Sequence, residues 1–312
     1  MAETIDKPEA TAATATAAAG GRLAHFQRDL MALTKFRLSI LVLVTALCGY
    51  FAAVKSPDAA GFDWTRLIDL GVGTLLAAFG SAVFNQLMEV DADARMRRTA
   101  GRPLPARRIP AGMAFAFGWV LSAFGVIHLG MRVNATAAFV AGATLLSYLF
   151  VYTPMKRRTG LNTLAGAVAG ALPPLIGWAG GGGGLLTWGA AFLFLLLFLW
   201  QLPHFVAINW MYREEYERGG FVMWSNGDVS GARTARLALG FSLLVALLPV
   251  LPVVTGVARA WFLPAGAAVG GVMAWLAWKF FKTRRRTDAR GLFFCTLLYL
   301  PVILVLALMA WR

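Results

Sequence analysis

Nine apolar stretches, each near the length of a bilayer crossing, leave this chain few architectures to adopt. They fall near residues 36–54, 67–88, 111–131, 134–153, 162–179, 185–208, 235–257, 260–280 and 291–311. A helix needs about 20 apolar residues to cross the hydrocarbon core. Lipid offers backbone groups no hydrogen-bond partner, so runs of this length must be helical. Across 312 residues, 59% are hydrophobic and 14% charged, with mean hydropathy +0.66. Soluble domains carry roughly a quarter charged residues. The expectation is an all-α polytopic membrane protein with nine transmembrane helices. The pairs 111–131/134–153 and 235–257/260–280 have very short connections and should be antiparallel hairpins.

The charged residues orient those spans. Lys7, Arg22, Arg28, Lys35 and Arg37 precede the first, and Arg95, Arg97, Arg98, Arg102, Arg107 and Arg108 follow the second. Lys156, Arg157 and Arg158 follow the fourth; Arg213, Arg218, Arg233 and Arg236 follow the sixth. Lys279, Lys282, Arg284, Arg285, Arg286 and Arg290 precede the last. Of 29 basic residues, only Lys55, Arg66, Arg132, Arg259 and Arg312 fall on the other side. Such a bias places the N-terminus in the cytoplasm and the C-terminus outside. The net charge of +14 therefore reads as basic loops at a membrane, with no nucleic-acid partner.

Residues 1–30 are rich in Ala and Thr, carry Glu3, Asp6 and Glu9, and lack the apolar core of a secretory signal. They read as a disordered tail before a single membrane domain at 31–312. Cys48 and Cys295 lie in apolar runs and read as small buried hydrophobes. The glycine run Gly180–Gly184 lacks the Lys-Ser/Thr of a phosphate-binding loop and reads as a plain connector.

Polar chemistry concentrates in three loops on the expected cytoplasmic side. In the first, Asn85, Glu89 and Asp93 are spaced i, i+4, i+8, one face of a helix, with Asp91 off that face. Arg95, Arg97, Arg98 and Arg102 follow within eight residues. Carboxylates at a membrane edge are costly unless paired or metal-bound. Oxygen ligands beside guanidinium groups are what a magnesium-bound diphosphate requires. The second segment, Tyr152-Thr-Pro-Met-Lys156-Arg157-Arg158-Thr159, places a phenol and an ammonium four residues apart, in a position to hold a diphosphate and assist its departure. The third runs from Gln201 to Gly219. There His204, Met211 and Glu215 return to one helical face, placing an intramembrane imidazole with an acid. His25 and His128 show no such partner.

Together these segments resemble the intramembrane UbiA-type prenyltransferase superfamily and, within it, the branch that farnesylates haem b. The resemblance covers nearly the whole chain after the tail. Asn85-x3-Glu89-x3-Asp93 matches the superfamily's first acidic motif. Glu89-Val-Asp-Ala-Asp93, Met96-Arg-Arg-Thr, Gly101-Arg102-Pro103-Leu104, the Tyr152–Thr159 segment and Trp200-Gln-x-Pro-His204-Phe match the haem branch.

The resemblance implies helices around a central cavity in a bacterial inner membrane, with the active site on the cytoplasmic side. It implies Mg²⁺ held by Asn85, Glu89, Asp93 and Glu215, with Arg97, Arg98, Arg102, Lys156 and Arg157 around a farnesyl diphosphate. It further implies Tyr152 at the leaving group and His204 toward haem b, with haem O as the product and a haem A synthase as a partner. Two positions depart from pattern. Met211 stands where the second acidic motif begins, and Phe36 where the family tends to have proline. Prenylation of a quinone or aromatic-acid precursor would use the same diphosphate site. A transporter is the reading from another class, disfavoured because the charges gather at one face and not along a path.

Overall fold

The computed structural model describes residues 24–56 and 61–312. Most of the expected tail, residues 1–23, lies outside them. Residues 24–33 form a helix, α1, so helical structure begins inside the stretch expected to be tail. The described chain is helical, with one isolated bridge between Ala258 and Trp311.

The helices fall where hydropathy puts them. They are α2 (Phe36–Ala53), α3 (Trp64–Met88), α4 (Val90–Arg95), α5 (Ala111–Arg132) and α6 (Ala135–Leu146). A π-helical turn at Ser147–Tyr152 links α6 to α7 (Thr153–Met155). Then come α8 (Asn162–Ala171), α9 (Pro173–Gly180), α10 (Trp188–Met211) and α11 (Arg213–Arg218). The last are α12 (Ala232–Leu247), α13 (Val250–Val254), α14 (Phe262–Thr283) and α15 (Arg286–Ala310). Eight helical runs are long and apolar enough to cross a membrane. The ninth expected span is the 22-residue α14. Gly266, Gly270, Gly271, Pro264, Trp275, Trp278 and Lys279 dilute its hydropathy, so composition alone does not single it out.

Proline and close packing shape these rods. The fifth span breaks at Pro173 and the seventh at Pro249, where a missing N–H ends the hydrogen-bond ladder. The first short hairpin turns at Asn134, whose Oδ1 accepts from Ala137 N (2.8 Å) and whose Nδ2 donates to Ala179 O (2.8 Å).

Helices in lipid associate through small residues that let backbones touch. A Cβ on Gly177 of α9 would lie 1.6 Å from Ala46 O of α2. One on Gly125 of α5 would lie 2.6 Å from Ala77 N of α3. Neighbouring helices thus form a bundle in which α10 touches α8, α12 and α15, while α2 packs on α3 and α9. His128 lies beside a carboxylate without hydrogen-bonding to it. Its Nε2 lies 3.1 Å from Asp69 Oδ1 across the α3–α5 contact, and Arg132 Nε lies 3.3 Å from Asp69 Oδ2. A carboxylate 59 positions away in sequence could not be assigned to it from local spacing.

Candidate active site

The site forms where α3 gives way to α4. The Asn85/Glu89/Asp93 row does not ride on one continuous helix. The chain kinks at Glu89 (φ −110°, ψ 8°), which ends α3 and begins α4. The three side chains nevertheless stay on the inner side, because Asp93 N still donates to Glu89 O (2.8 Å). All three are buried, whereas Asp91 is exposed, as its helical position predicts.

Each member of the row meets a cation or a hydrogen-bond donor. Lys35 donates to Asn85 Oδ1, and Asn85 Nδ2 donates to Thr153 Oγ1 (3.3 Å). Lys156 Nζ donates to Glu89 Oε1 (2.8 Å), and Arg102 Nη1 donates to Asp93 Oδ2 (2.6 Å). Lys156 also sits 4.5 Å above the Tyr152 ring centroid, in a cation–π arrangement.

Local structure aims these groups. The π-helical turn ends at Tyr152, and Thr153 Oγ1 donates to Tyr148 O (2.9 Å) beside Pro154, which has no N–H of its own. Insertions of this kind re-aim side chains at functional sites. Lys35 occupies a left-handed conformation (φ 46°) between α1 and α2. Gln86 fastens that junction by donating to Ala32 O (2.8 Å) and Leu33 O (2.7 Å).

Lys35, Leu38, Glu89, Asp93, Arg98, Arg102, Tyr148, Tyr152, Lys156, Phe205, Ile208, Asn209 and Tyr216 are among the residues lining a cavity of about 220 Å³. Four cations face two carboxylates there, leaving the walls net positive. Burial lowers the Lys35 ammonium to about 7, against the pull of Glu89. Burial would raise the Glu89 carboxyl, but Lys156 and Lys35 together hold it below its ordinary value. Burial likewise opposes the Lys156 charge, yet Tyr152 and Glu89 outweigh it and hold its pKa well above that of a free lysine.

Other expected residues stand apart from this cavity. Arg97 and Arg157 are exposed and do not line it. Helix α10 ends at Met211, so Glu215 belongs to the separate α11 and shares no helical face with His204. Glu215 accepts from Arg97 N (2.9 Å) and Arg218 Nη2 (2.5 Å). His204 turns toward α15, where its Nδ1 lies 2.8 Å from Thr296 Oγ1. Among the described residues, no three His, Cys, Asp or Glu side chains converge as a ready metal cluster. What the structure offers a hard cation is the oxygen row of Asn85, Glu89 and Asp93, a donor set that suits Mg²⁺.

Sequence reading missed Lys35, Tyr148, Asn209 and Tyr216 as lining residues. Lys35 counted only as one charge in a basic flank. Its sole signal was a polar ammonium set directly against the first apolar run.

Comparison with known proteins follows the same lines. The model of the UbiA prenyltransferase family matches residues 42–300. A protoheme IX farnesyltransferase of Solibacter usitatus is 41% identical over 291 residues, covering 90% of this chain and 98% of the relative. The mitochondrial protoheme IX farnesyltransferase of Homo sapiens is 36% identical, covering 90% of this chain and 61% of the relative. Among solved structures, a digeranylgeranylglyceryl phosphate synthase superposes with TM-score 0.74 at 15% identity, covering 91% of this chain and 98% of that one. A UbiA homologue from Archaeoglobus fulgidus bound to GPP and Mg²⁺ gives TM-score 0.65 at 12% identity, covering 89% and 99%. Motifs, fold and relatives agree, and the transporter reading falls: this chain belongs to the UbiA prenyltransferase family, alongside its protoheme IX farnesyltransferases.

Proposed function

We propose that this chain transfers the farnesyl group of farnesyl diphosphate to a vinyl group of haem b, releasing diphosphate and yielding haem O after addition of water. One observation carries the diphosphate half: a small cavity in which Lys35, Arg98, Arg102 and Lys156 outnumber Glu89 and Asp93. Such walls attract a polyanion, and both carboxylates are already matched to cations, which leaves oxygen lone pairs for a metal.

In this reading Asn85, Glu89 and Asp93 would hold Mg²⁺, with Glu215 of α11, bonded to Arg97 N in the adjoining loop, as the further ligand. The metal would neutralise diphosphate charge as the leaving group departs. Arg98, Arg102 and Lys156 take diphosphate oxygens, with Arg97 and Arg157 at the rim. As the C1–O bond breaks, its electron pair goes to the diphosphate, whose growing charge these cations and the Tyr152 hydroxyl stabilise. The Tyr148 and Tyr152 rings, 5.3 Å apart, offer π-faces to the allylic cation in a site that excludes water. A haem vinyl carbon then bonds to farnesyl C1. Water adds to the resulting cation and loses a proton. His204 orients or ligates the haem.

We further take α14 as the ninth span, the N-terminus as cytoplasmic and the C-terminus as outside, supported by the charge bias of the loops. Residues 31–312 form one prenyltransferase domain in a bacterial inner membrane. A haem A synthase is the expected consumer of haem O.

The test uses purified protein in detergent with haem b, farnesyl diphosphate and Mg²⁺, followed by mass spectrometry of the extracted pigment. Haem plus a farnesyl group plus water, abolished by EDTA, is the expected result. Unchanged haem together with a prenylated quinone precursor would overturn the acceptor and keep the superfamily.

A further inference from the structure

Haem b, the acceptor in the reading above, is a flat aromatic ring with an open position on its iron and two carboxylates on one edge. A groove that holds it needs a nitrogen donor, flat apolar walls and a cation at the carboxylate edge. The α10–α15 contact brings these groups near one another through Phe293, which stacks on His204 and walls a cavity beside Arg290, away from the diphosphate cavity.

The nitrogen donor is set by hydrogen bonding. Thr296 Oγ1 donates its only hydrogen to Phe293 O (2.6 Å), so at the 2.8 Å contact with His204 it must accept. His204 therefore carries its proton on Nδ1 and keeps the Nε2 lone pair. Its ring lies between Trp200 (centroids 5.3 Å, 22°) and Phe293 (5.0 Å, 27°).

Phe293 also walls a second cavity of about 450 Å³, together with Tyr212, Phe294, Arg286 and Arg290. It shares no lining residue with the diphosphate cavity. Arg290 and Arg286 precede Phe293 by three and seven residues, one and two turns back on the same face of α15. Arg286 is tied to Glu214. Arg290 lies 5.5 Å from the Phe294 ring centroid and has no ion pair or hydrogen bond among the described residues.

We propose that Arg290, assisted by Arg286, binds the carboxylates of the acceptor tetrapyrrole and so fixes which edge of the ring faces the catalytic cavity. The proposal rests on haem b being the acceptor. A free guanidinium over an aromatic wall is wasted on an apolar quinone ring, and only a tetrapyrrole, with two carboxylates against the single one of an aromatic acid, occupies both arginines. A guanidinium is the group that binds a carboxylate in two-point geometry.

Purified full-length protein in detergent is titrated with ferric haem b and, separately, with its dimethyl ester, following the Soret band. The wild type should prefer the free acid by about tenfold, the worth of a charge-assisted hydrogen bond. Arg290→Gln should erase that preference and raise KM for haem b. Its KM for farnesyl diphosphate and its elution on gel filtration should not change. Lys282→Gln, an exposed cation at the same end of the bundle, should keep the preference.

If Arg290→Gln retains the wild-type discrimination, or weakens acid and ester equally, the carboxylate assignment is wrong. Loss of phosphatidylglycerol retention in lipid nanodiscs, with haem titrations unchanged, would make this a lipid-headgroup site and overturn it too. A wild type that discriminates acid from ester yet transfers no farnesyl sinks the acceptor reading alone. One that transfers farnesyl but ignores esterification sinks the carboxylate pocket alone.

Discussion

Lys156→Met is the substitution that best separates what this cavity does for folding from what it does for chemistry. The Lys156–Glu89 pair is 2.8 Å long, and Glu89 is 5% exposed, so removing the ammonium strands a buried carboxylate. Breaking one side of a buried pair costs about 3–5 kcal/mol. Lys35 still faces Glu89, so the lower end applies, and the melting temperature should fall by roughly 6–12 °C. Loss of a positioned charge at a leaving group should reduce kcat by about 10²–10³. Adding Glu89→Gln removes the stranded charge. The double variant should regain most of the lost stability, a coupling of about 2 kcal/mol, while turnover stays low because neither group is restored. Thermal melting in detergent and single-turnover farnesyl transfer read the two quantities separately. If Lys156→Met lost stability yet kept wild-type turnover per folded molecule, Lys156 would be a structural lysine and the leaving-group argument would be refuted.

The remaining predictions probe metal binding, packing and a loop tie. Asp93→Asn should abolish Mg²⁺-dependent turnover with normal membrane insertion, whereas Glu215→Gln, which already spends its carboxylate on Arg97 N and Arg218, should cost about tenfold or less. Equal losses in an EDTA-controlled transfer assay would put Glu215 on the metal as firmly as Asp93. Gly177→Leu should push α2 off α9 and cut the folded yield on fluorescence-monitored gel filtration. Gly142→Ala, whose Cβ meets nothing within 4 Å, should not. Asp228→Ala removes bonds to Thr234 N (2.8 Å) and Oγ1 (2.7 Å) at the start of α12, and should cost about 1 kcal/mol of stability at neutral pH without touching turnover. Burial works against the Asp228 carboxylate, but the Thr234 bonds outweigh it and hold its pKa below the usual value. Its contribution is therefore full above the usual carboxylate range and lost as pH falls through the lowered value, where wild type and variant should melt alike.

Hydropathy made the spans legible because lipid leaves a chain no alternative to intrasegment hydrogen bonds, and the observed helices start and stop within a few residues of the apolar runs. The Pro173-Pro174 pair marked the break in the fifth span, but the other breaks were not visible. Pro249 reads as one apolar residue among many, and the π-helical turn at Ser147–Tyr152 has no hydropathy signature at all. Glu89, Asp93, Arg102, Lys156 and Tyr152 were legible because ionisable and phenolic groups at a membrane edge need partners. Which partner each one takes was not legible. Glu89 finds Lys156 67 positions on, and Asn85 finds Lys35 50 positions back, pairings that only tertiary packing decides. Local spacing also misjudged the third segment. Counting i, i+7, i+11 from His204 to Glu215 assumes one helix, and Tyr212 ends it.

That break changes how the two halves of the site relate. Phe205, Ile208 and Asn209 turn one side of α10 toward the diphosphate cavity, while His204 turns toward Thr296 and Phe293 of α15. With the diphosphate on one side and the acceptor on the other, as proposed, the two would meet at the edge of α10 that carries His204 and Phe205, adjacent residues about 100° apart on the helix. In that proposed arrangement, helix α10 would set the distance between the reacting carbons. Pro203 lies inside it one residue before His204, leaving the backbone there one hydrogen bond short and easier to bend. A rigid α10 would fix that distance before either substrate arrives. In the proposed reaction a bendable α10 would let the acceptor side approach after the diphosphate is in place, so that the allylic cation forms when a vinyl group is there to take it.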